Sequence, residues 1–179
     1  MASAKPVLMV AMTPTARQQL NHPFDNCNPF DRSNVGIRKA LYVSADPDES
    51  RLQVRYWVRD DHHVLGRAHF GRGCQGPPGH AHGGSIAALL DEAMGIAAWV
   101  SGHPVVAADI RLRFRQSLPL QEVPEFHAWI EKTNGRKVFT KAVLVNEKGD
   151  RYADAEGLFV ELSSERLEAM KHLFYAEDK

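Results

Sequence analysis

The feature that most constrains this chain is the run GGSIAALLDEAMGIAAWV, residues 83–100, in which only Ser85, Asp91 and Glu92 are neither apolar nor small. A proline-free run of this length reads as a helix, and a helix that is apolar nearly all round must be buried nearly all round. Everything else in the chain therefore has to wrap it. Ile86, Leu89, Leu90, Ala93, Met94, Ala97 and Val100 form one broad apolar stripe. Gly84, Ala88, Asp91, Gly95 and Ala98, spaced by threes and fours, form a second that has almost no side chain apart from Asp91.

The flanking segments supply the wrapping as β-strands. RLQVRYWVRD alternates Leu52, Val54, Tyr56 and Val58 against Gln53, Arg55, Trp57 and Arg59, the period of a half-buried strand. GIRKALYVS before it and VLGRAHFGRG after it are further strands, the first closed by the turn cluster DPDES. Beyond the helix, VVAADIRLRFRQSL sets Ile110, Leu112 and Phe114 against Asp109, Arg111, Arg113 and Arg115. Residues 125–162 read as three antiparallel strands joined by a type I′ turn at Asn134-Gly135 and a longer loop at NEKGD. At the ends, Thr13-Pro14 caps a short helix, the stretch 21–34 is loop by composition, and Ser163 or Ser164 caps a terminal helix. Strands, one long helix, then a strand meander without βαβ alternation favour an α+β fold over a doubly wound one. The expected organisation is an extension over 1–36, a single domain over 37–162 and a helix over 163–179.

Charge and cysteine content narrow the class. The 22 basic residues balance the 22 acidic ones, so no global field draws the chain to nucleic acid or anionic lipid. Two cysteines without a CxxC pair argue against a disulfide framework. The early run VLMVAM is too short to span a bilayer and lacks a cleavage site. A cytoplasmic protein, with no membrane and no nucleic acid as partner, is expected.

Asp91 and Glu92 pose the functional question. Either both lie on a solvated edge, as most helical carboxylates do, or Asp91 faces the space cleared by the Gly and Ala stripe. A buried carboxylate must be paired, hydrogen-bonded or raised in pKa, and this is how a catalytic base is made. Glu92, about 100° further round, reads as structural or peripheral. His80 and His82 have no third ligand at a metal-site spacing, so no metal is expected. Gly83-Gly84 at the helix start offers either backbone N–H donors for an oxyanion or merely a tight turn.

GPPGHAHGGSIAALLDEAMG, with the hairpins of residues 134–162, resembles hotdog-fold acyl-CoA thioesterases of the PaaI-like branch, with a weaker likeness near CNPF. The resemblance spans roughly residues 50–162. In that branch an HGG motif opens the central helix, and an acidic residue nine positions after the histidine acts in hydrolysis. His82, Gly83, Gly84 and Asp91 fill those positions. The resemblance implies a helix wrapped by a curved antiparallel sheet. It also implies a homodimer, in some members a tetramer, whose site joins the HGG end of one subunit to the acidic residue of its partner.

The implied substrate is an acyl-CoA thioester, and no cofactor is needed beyond the coenzyme A of that substrate. The Gly84 N–H, with Gly83, would polarise the carbonyl. Asp91 would activate water or attack directly, and His82 would orient the loop without titrating. Asn134, Gly135, Arg136 and Lys137 would bind coenzyme A phosphates, with the row Arg111, Arg113 and Arg115 either joining them or forming a solvated strand face. Trp57, Phe70 and Trp99 are candidates for an acyl pocket but read better as core. Relatives carry Thr or Ser near the start of the strand after the helix, where this chain has Ala107-Ala108; Ser85 or Ser101 could substitute. That departure keeps open a non-catalytic acyl-CoA-binding module. A hotdog dehydratase would need a His–Asp arrangement on the helix that the sequence does not show.

Overall fold

The structure is a computed structural model that describes residues 12–30, 43 and 48–175. Apart from Val43 and Met12, the expected strand GIRKALYVS and the run VLMVAM lie outside the described residues. Helices α1 (Pro14–Asn21), α2 (Gly83–Val100) and α3 (Ser164–Tyr175) accompany strands β1 (Cys27–Pro29), β2 (Leu52–Arg59), β3 (Val64–Phe70), β4 (Val105–Phe114), β5 (Glu125–Asn134), β6 (Lys137–Val145) and β7 (Arg151–Glu161). Among the described residues these strands form one antiparallel sheet in the order β1-β2-β3-β5-β6-β7-β4. The fold is α+β: the sheet curves around α2, which packs on β3, β4, β5, β6 and β7.

The apolar run accounts for this packing. Ile86, Leu89, Leu90, Ala93, Met94, Ile96, Ala97 and Ala98 are all buried, against Val64, Ala68, Phe70, Phe126, Val138, Leu144, Ala155 and Phe159 of the sheet. By length and composition α2 could cross a membrane, but here strands of the same chain enclose its apolar side. Gly157 marks a close approach: a Cβ there would stand 2.5 Å from Phe159 and 3.1 Å from Met94 Sδ. A larger residue there would force the Phe159 and Thr140 side chains to shift.

The strand alternation reads through to burial. Leu52, Val54 and Tyr56 face the core. Trp57, on the other face of β2, is buried instead by the edge-on ring of Phe24 at 5.4 Å. Phe70 is fully buried and Trp99 donates Nε1–H to the Val105 carbonyl at 3.2 Å, so these aromatics pack and anchor. Helix α1 has the expected cap, with Thr13 Oγ1 accepting from Ala16 N–H at 3.1 Å, and it buries Ala16 and Leu20 with Met12 and Val123. At α3 the capping serine is Ser163, which accepts from Arg166 N–H at 3.3 Å.

Four local expectations are corrected. The stretch 21–34, read as loop, contains β1, which pairs Cys27 with Arg59 and Pro29 with Trp57; proline is tolerated there because β1 is an edge strand. The β5–β6 turn sits one residue later than Asn134-Gly135. Asn134 pairs with Lys137 across the ladder, and the loop is Gly135-Arg136 with positive φ at Gly135 alone, the pattern of type II′. Ala98, placed on the cleared stripe, is fully buried, and the open lane ends near Gly95. Phe114, placed with Ile110 and Leu112 on the inward face, is 56% exposed.

Candidate active site

The segment GPPGHAHGG is held on both sides before α2 begins. Gly79 turns the chain at φ +75°, and isolated bridges join Gln75 to Ala81 and His80 to Pro119. His82 N–H donates to the Cys74 carbonyl at 2.7 Å and Ala81 N–H to the Leu118 carbonyl at 2.9 Å. These bonds place His82 at the helix N-cap with extended backbone, φ −69° and ψ 136°.

His82 then caps α2 with its ring. Nδ1 accepts the Gly84 N–H at 2.9 Å, while the His82 carbonyl accepts from Ser85 N–H at 3.0 Å. The first turn of a helix has backbone donors without intrahelical partners, and here the histidine takes one of them. Gly84, expected as the leading donor to a substrate carbonyl, thus has its N–H engaged. The Gly83 N–H has no partner among the described residues. A Cβ at Gly84 would stand 2.8 Å from His82 Nδ1, and one at Gly83 would stand 3.0 Å from the Phe114 ring. At Gly84 a Cβ would collide with the capping ring, whereas at Gly83 it would meet only the tip of the exposed Phe114 ring, which can shift aside. The His80 ring turns away from His82, its Nδ1 lying 3.0 Å from the Pro78 carbonyl oxygen.

The two adjacent carboxylates have opposite fates. Glu92 is a cross-link: Oε1 accepts from the buried Tyr56 hydroxyl at 2.8 Å and Oε2 from Val43 N–H at 2.9 Å. Asp91 is half-buried on the lane of Gly84, Ala88 and Gly95, and its carboxylate accepts no hydrogen bond among the described residues. Burial raises its pKa. The physical signature sought in the sequence therefore falls on Asp91.

Hydroxyls near the site are unevenly free. Ser101 donates its hydroxyl to the Ala97 carbonyl at 2.7 Å, so it is spent at the end of α2. Ser85 lines a cleft with Gly84, Ala88, Arg51 and Leu52. Ala108 is the bulged residue of β4, where the pairing with β7 shifts between Ala107 and Asp109.

The expected phosphate-binding residues lie elsewhere in the chain. Asn134, Gly135, Arg136 and Lys137 are all exposed at the β5–β6 tip. Arg136 donates from Nη2 and Nε to the Glu161 carbonyl at 2.6 and 3.2 Å, and Glu161 also pairs with His103, just past the C-terminal end of α2. Eighteen helical residues, about 27 Å by helix rise, separate the two ends of α2. Within one chain these residues are not brought to Gly83. Two of the row's arginines pair with carboxylates of β7: Arg113 on β4 with Glu156 at 3.1 Å, and Arg115 just past β4 with Asp154 at 2.5 Å.

Sequence reasoning missed Phe114 and Tyr56 as parts of this region. Phe114 carries no signal of its own, since alternation points it inward. Tyr56 lies 36 residues from its carboxylate partner.

Residues 78–153 match the family model described as Thioesterase superfamily. Acyl-coenzyme A thioesterase THEM4 of Bos taurus is 35% identical over 94 residues, covering 51% of this chain and 38% of that protein. The chain thus spans about two fifths of the length of the curated relatives it matches. A crystal structure of a thioesterase superfamily protein shares 32% identity at a TM-score of 0.59, covering 61% of this chain and 54% of the other. A thioesterase protein from Streptococcus pneumoniae, crystallised with coenzyme A, shares the fold at a TM-score of 0.59 and 16% identity, covering 62% of this chain and 87% of the other.

Proposed function

We propose, from the thioesterase-superfamily domain that residues 78–153 carry on a hotdog fold, that this chain hydrolyses an acyl-CoA thioester to a free acid and coenzyme A. The observation that carries this reading is the division of labour at α2. Among the described residues one amide, Gly83 N–H, has no partner at the positive end of the helix, and one carboxylate, Asp91, has none on a lane of small residues. His82 holds the first turn in shape by accepting from Gly84.

In this reading the thioester oxygen sits on the Gly83 N–H, and the carbonyl carbon becomes electrophilic. On the general-base route Asp91 takes a proton from water as the water oxygen adds to that carbon. The C–S bond then breaks, and the thiolate recovers the proton. On the nucleophilic route the Asp91 oxygen adds first and the C–S bond breaks to release the thiolate; water then opens the resulting anhydride to the free acid and the Asp91 carboxylate, and the proton it gives up goes to the thiolate. Label found in the Asp91 carboxylate after a single turnover in 18O-labelled water would establish the anhydride route, because the general-base route cannot put it there.

Gly83 and Asp91 are eight residues apart on one helix, about 12 Å along its axis. One carbonyl cannot touch both. In this reading the site is assembled from two chains, Gly83 of one with Asp91 of the other, in a homodimer, as the resemblance to the thioesterases implies. The exposed β4 edge, with Val106 44% exposed and Phe114 56% exposed, is the surface a second copy would cover. The same arrangement would let the β5–β6 tip of one chain, with Arg136 and Lys137, reach the coenzyme held at Gly83 of the other.

Ala107-Ala108 in place of a hydroxyl, with Ser101 already bonded to Ala97, favours a second reading: an acyl-CoA-binding module without turnover. Free-thiol release from short, medium, long-chain and aryl-CoA esters decides between them. Hydrolysis by the wild type and its loss in Asp91→Asn support the enzyme. Tight binding without thiol release supports the module.

A further inference from the structure

Of the polar side chains buried in the sheet, His69 is the most enclosed, at 0% exposed. It stands on β3 between Ala68 and Phe70, which belong to the core around α2, so alternation sends its ring to the outer face of the sheet. Helix α1 packs on β2 and β3 from that side, its apolar residues joining Val123 in a cluster apart from the main core. Nε2 of His69 lies 3.2 Å from Gln121 Oε1, so it carries the proton and donates. Nδ1 is then an acceptor, and it has no hydrogen-bond partner among the described residues. Gln121 is itself fixed beside β3: its backbone is left-handed at φ +72°, and its N–H bonds the Phe70 carbonyl at 3.2 Å.

A second proton on this ring would bury a charge and a donor that nothing accepts. The carboxylates around it already have donors. Glu49 pairs with Arg17 of α1 at 2.5 Å and Glu125 with Arg67 of β3 at 2.6 Å, Glu122 accepts from Tyr152, and Glu147 accepts from Gln19 at 3.1 Å. On β2 the ladder partner is the neutral Gln53, flanked by Arg51 and Arg55. Burial pushes the His69 ring below its ordinary pKa, outweighing the Gln121 bond and the pull of Glu49. The cover over it is weakly held: α1 buries only Ala16 and Leu20, and its bonds to Glu49 and Glu147 are exposed. Lifting these eight residues would relieve His69 without disturbing the core around α2.

We propose that α1 is an acid-released cover: uptake of a proton at His69 frees the helix and opens the outer face of β3 to solvent. With α1 lifted, the ring is wet and titrates near the ordinary histidine value of about 6.5. With α1 docked, it stays neutral to lower pH. Docking is therefore at full strength above about pH 6.5 and weakens as pH falls below it, by about tenfold per pH unit for one proton. This holds whether or not the chain hydrolyses a thioester.

The test is amide hydrogen exchange of the intact protein, read by mass spectrometry between about pH 7.5 and 5 and corrected for intrinsic rates. Protection of Pro14–Asn21 should fall about tenfold per pH unit below about 6.5, while α2 stays protected on the same timescale. His69→Gln keeps a donor for Gln121 but cannot titrate, and its α1 protection should not change with pH. Glu49→Gln removes the carboxylate paired with Arg17 and should keep the fall. A flat wild-type profile, the same fall in His69→Gln, or its loss in Glu49→Gln overturns the proposal. So does exchange of α2 together with α1, since the whole fold would then be opening. If His69→Gln does not fold, the wild-type ring is followed by NMR: proton uptake in step with the loss of α1 protection supports the cover, and uptake with α1 still protected overturns it.

Discussion

Tyr56 donates its hydroxyl proton to Oε1 of Glu92 at 2.8 Å, tying β2 to α2 through a part-buried pair next to Asp91, whose carboxylate has no partner among the described residues. Burial and the neighbouring carboxylate hold the Tyr56 hydroxyl well above its ordinary pKa, so it remains a donor across the working pH range. Tyr56→Phe leaves a half-buried carboxylate oxygen without its donor, a loss of about 1 kcal/mol. Urea denaturation at pH 7 should show that loss with little change in the slope. Unchanged stability would mean that Glu92 is not a cross-link.

Asp91 should trade stability for activity. Its folded pKa is raised above the ordinary 3.8 by burial. The folded state therefore holds the proton more tightly, and this contribution is full below the unfolded pKa and lost as pH rises through the folded one. At pH 7 the ionised carboxylate is a net cost. Asp91→Asn should raise Tm at pH 7, the gain shrinking below about pH 4, while lowering kcat/KM by about 100-fold or more. The acid limb of the wild-type kcat profile should lie above 3.8 and vanish in the variant. A destabilised variant with full activity would remove Asp91 from the mechanism.

His82 is a helix cap before it is anything else. Its Nδ1 takes the Gly84 N–H at 2.9 Å, the bond an asparagine cap makes with its side-chain oxygen. His82→Ala should cost about 1 kcal/mol in denaturant titration, and His82→Asn should recover most of it. If Asn restores stability and also restores thiol release, the histidine acts through the shape of the first turn. If Asn restores stability alone, the imidazole has a further part in turnover.

Much of this was legible because periodicity records burial directly. The limits of α2 follow from one uninterrupted apolar run, and Leu52, Val54 and Tyr56 follow from strict alternation. What escaped depends on contacts between distant residues or on single bonds. Glu92 reads as structural or peripheral, and the structure decides for the first, but its partners Tyr56 and Val43, 36 and 49 residues away, could not be named from the sequence. Gly84 looked like the free amide because nothing in HGG reveals that the histidine bends back onto it. Phe114 obeys the alternation of β4, yet sits at the end of an edge strand where the sheet no longer has an inside.

The spacing of Gly83 and Asp91 supplies the sharpest test of the shared site. Gly83→Pro removes the amide hydrogen at the first helical position, where proline is tolerated, and His82 already has the extended backbone that precedes proline. Asp91→Asn removes the carboxylate. Each variant alone should be inactive as a homodimer. If each site takes Gly83 from one chain and Asp91 from the other, a hybrid of the two variants has one doubly damaged site and one intact site. Mixing equal amounts under conditions that exchange subunits should therefore restore roughly a quarter of wild-type activity, since half the dimers are hybrids and half their sites are whole. If both residues served within one chain, every site would carry one defect and mixing would restore nothing. Thiol release, measured before and after exchange and alongside mass analysis of the dimers, decides between these outcomes.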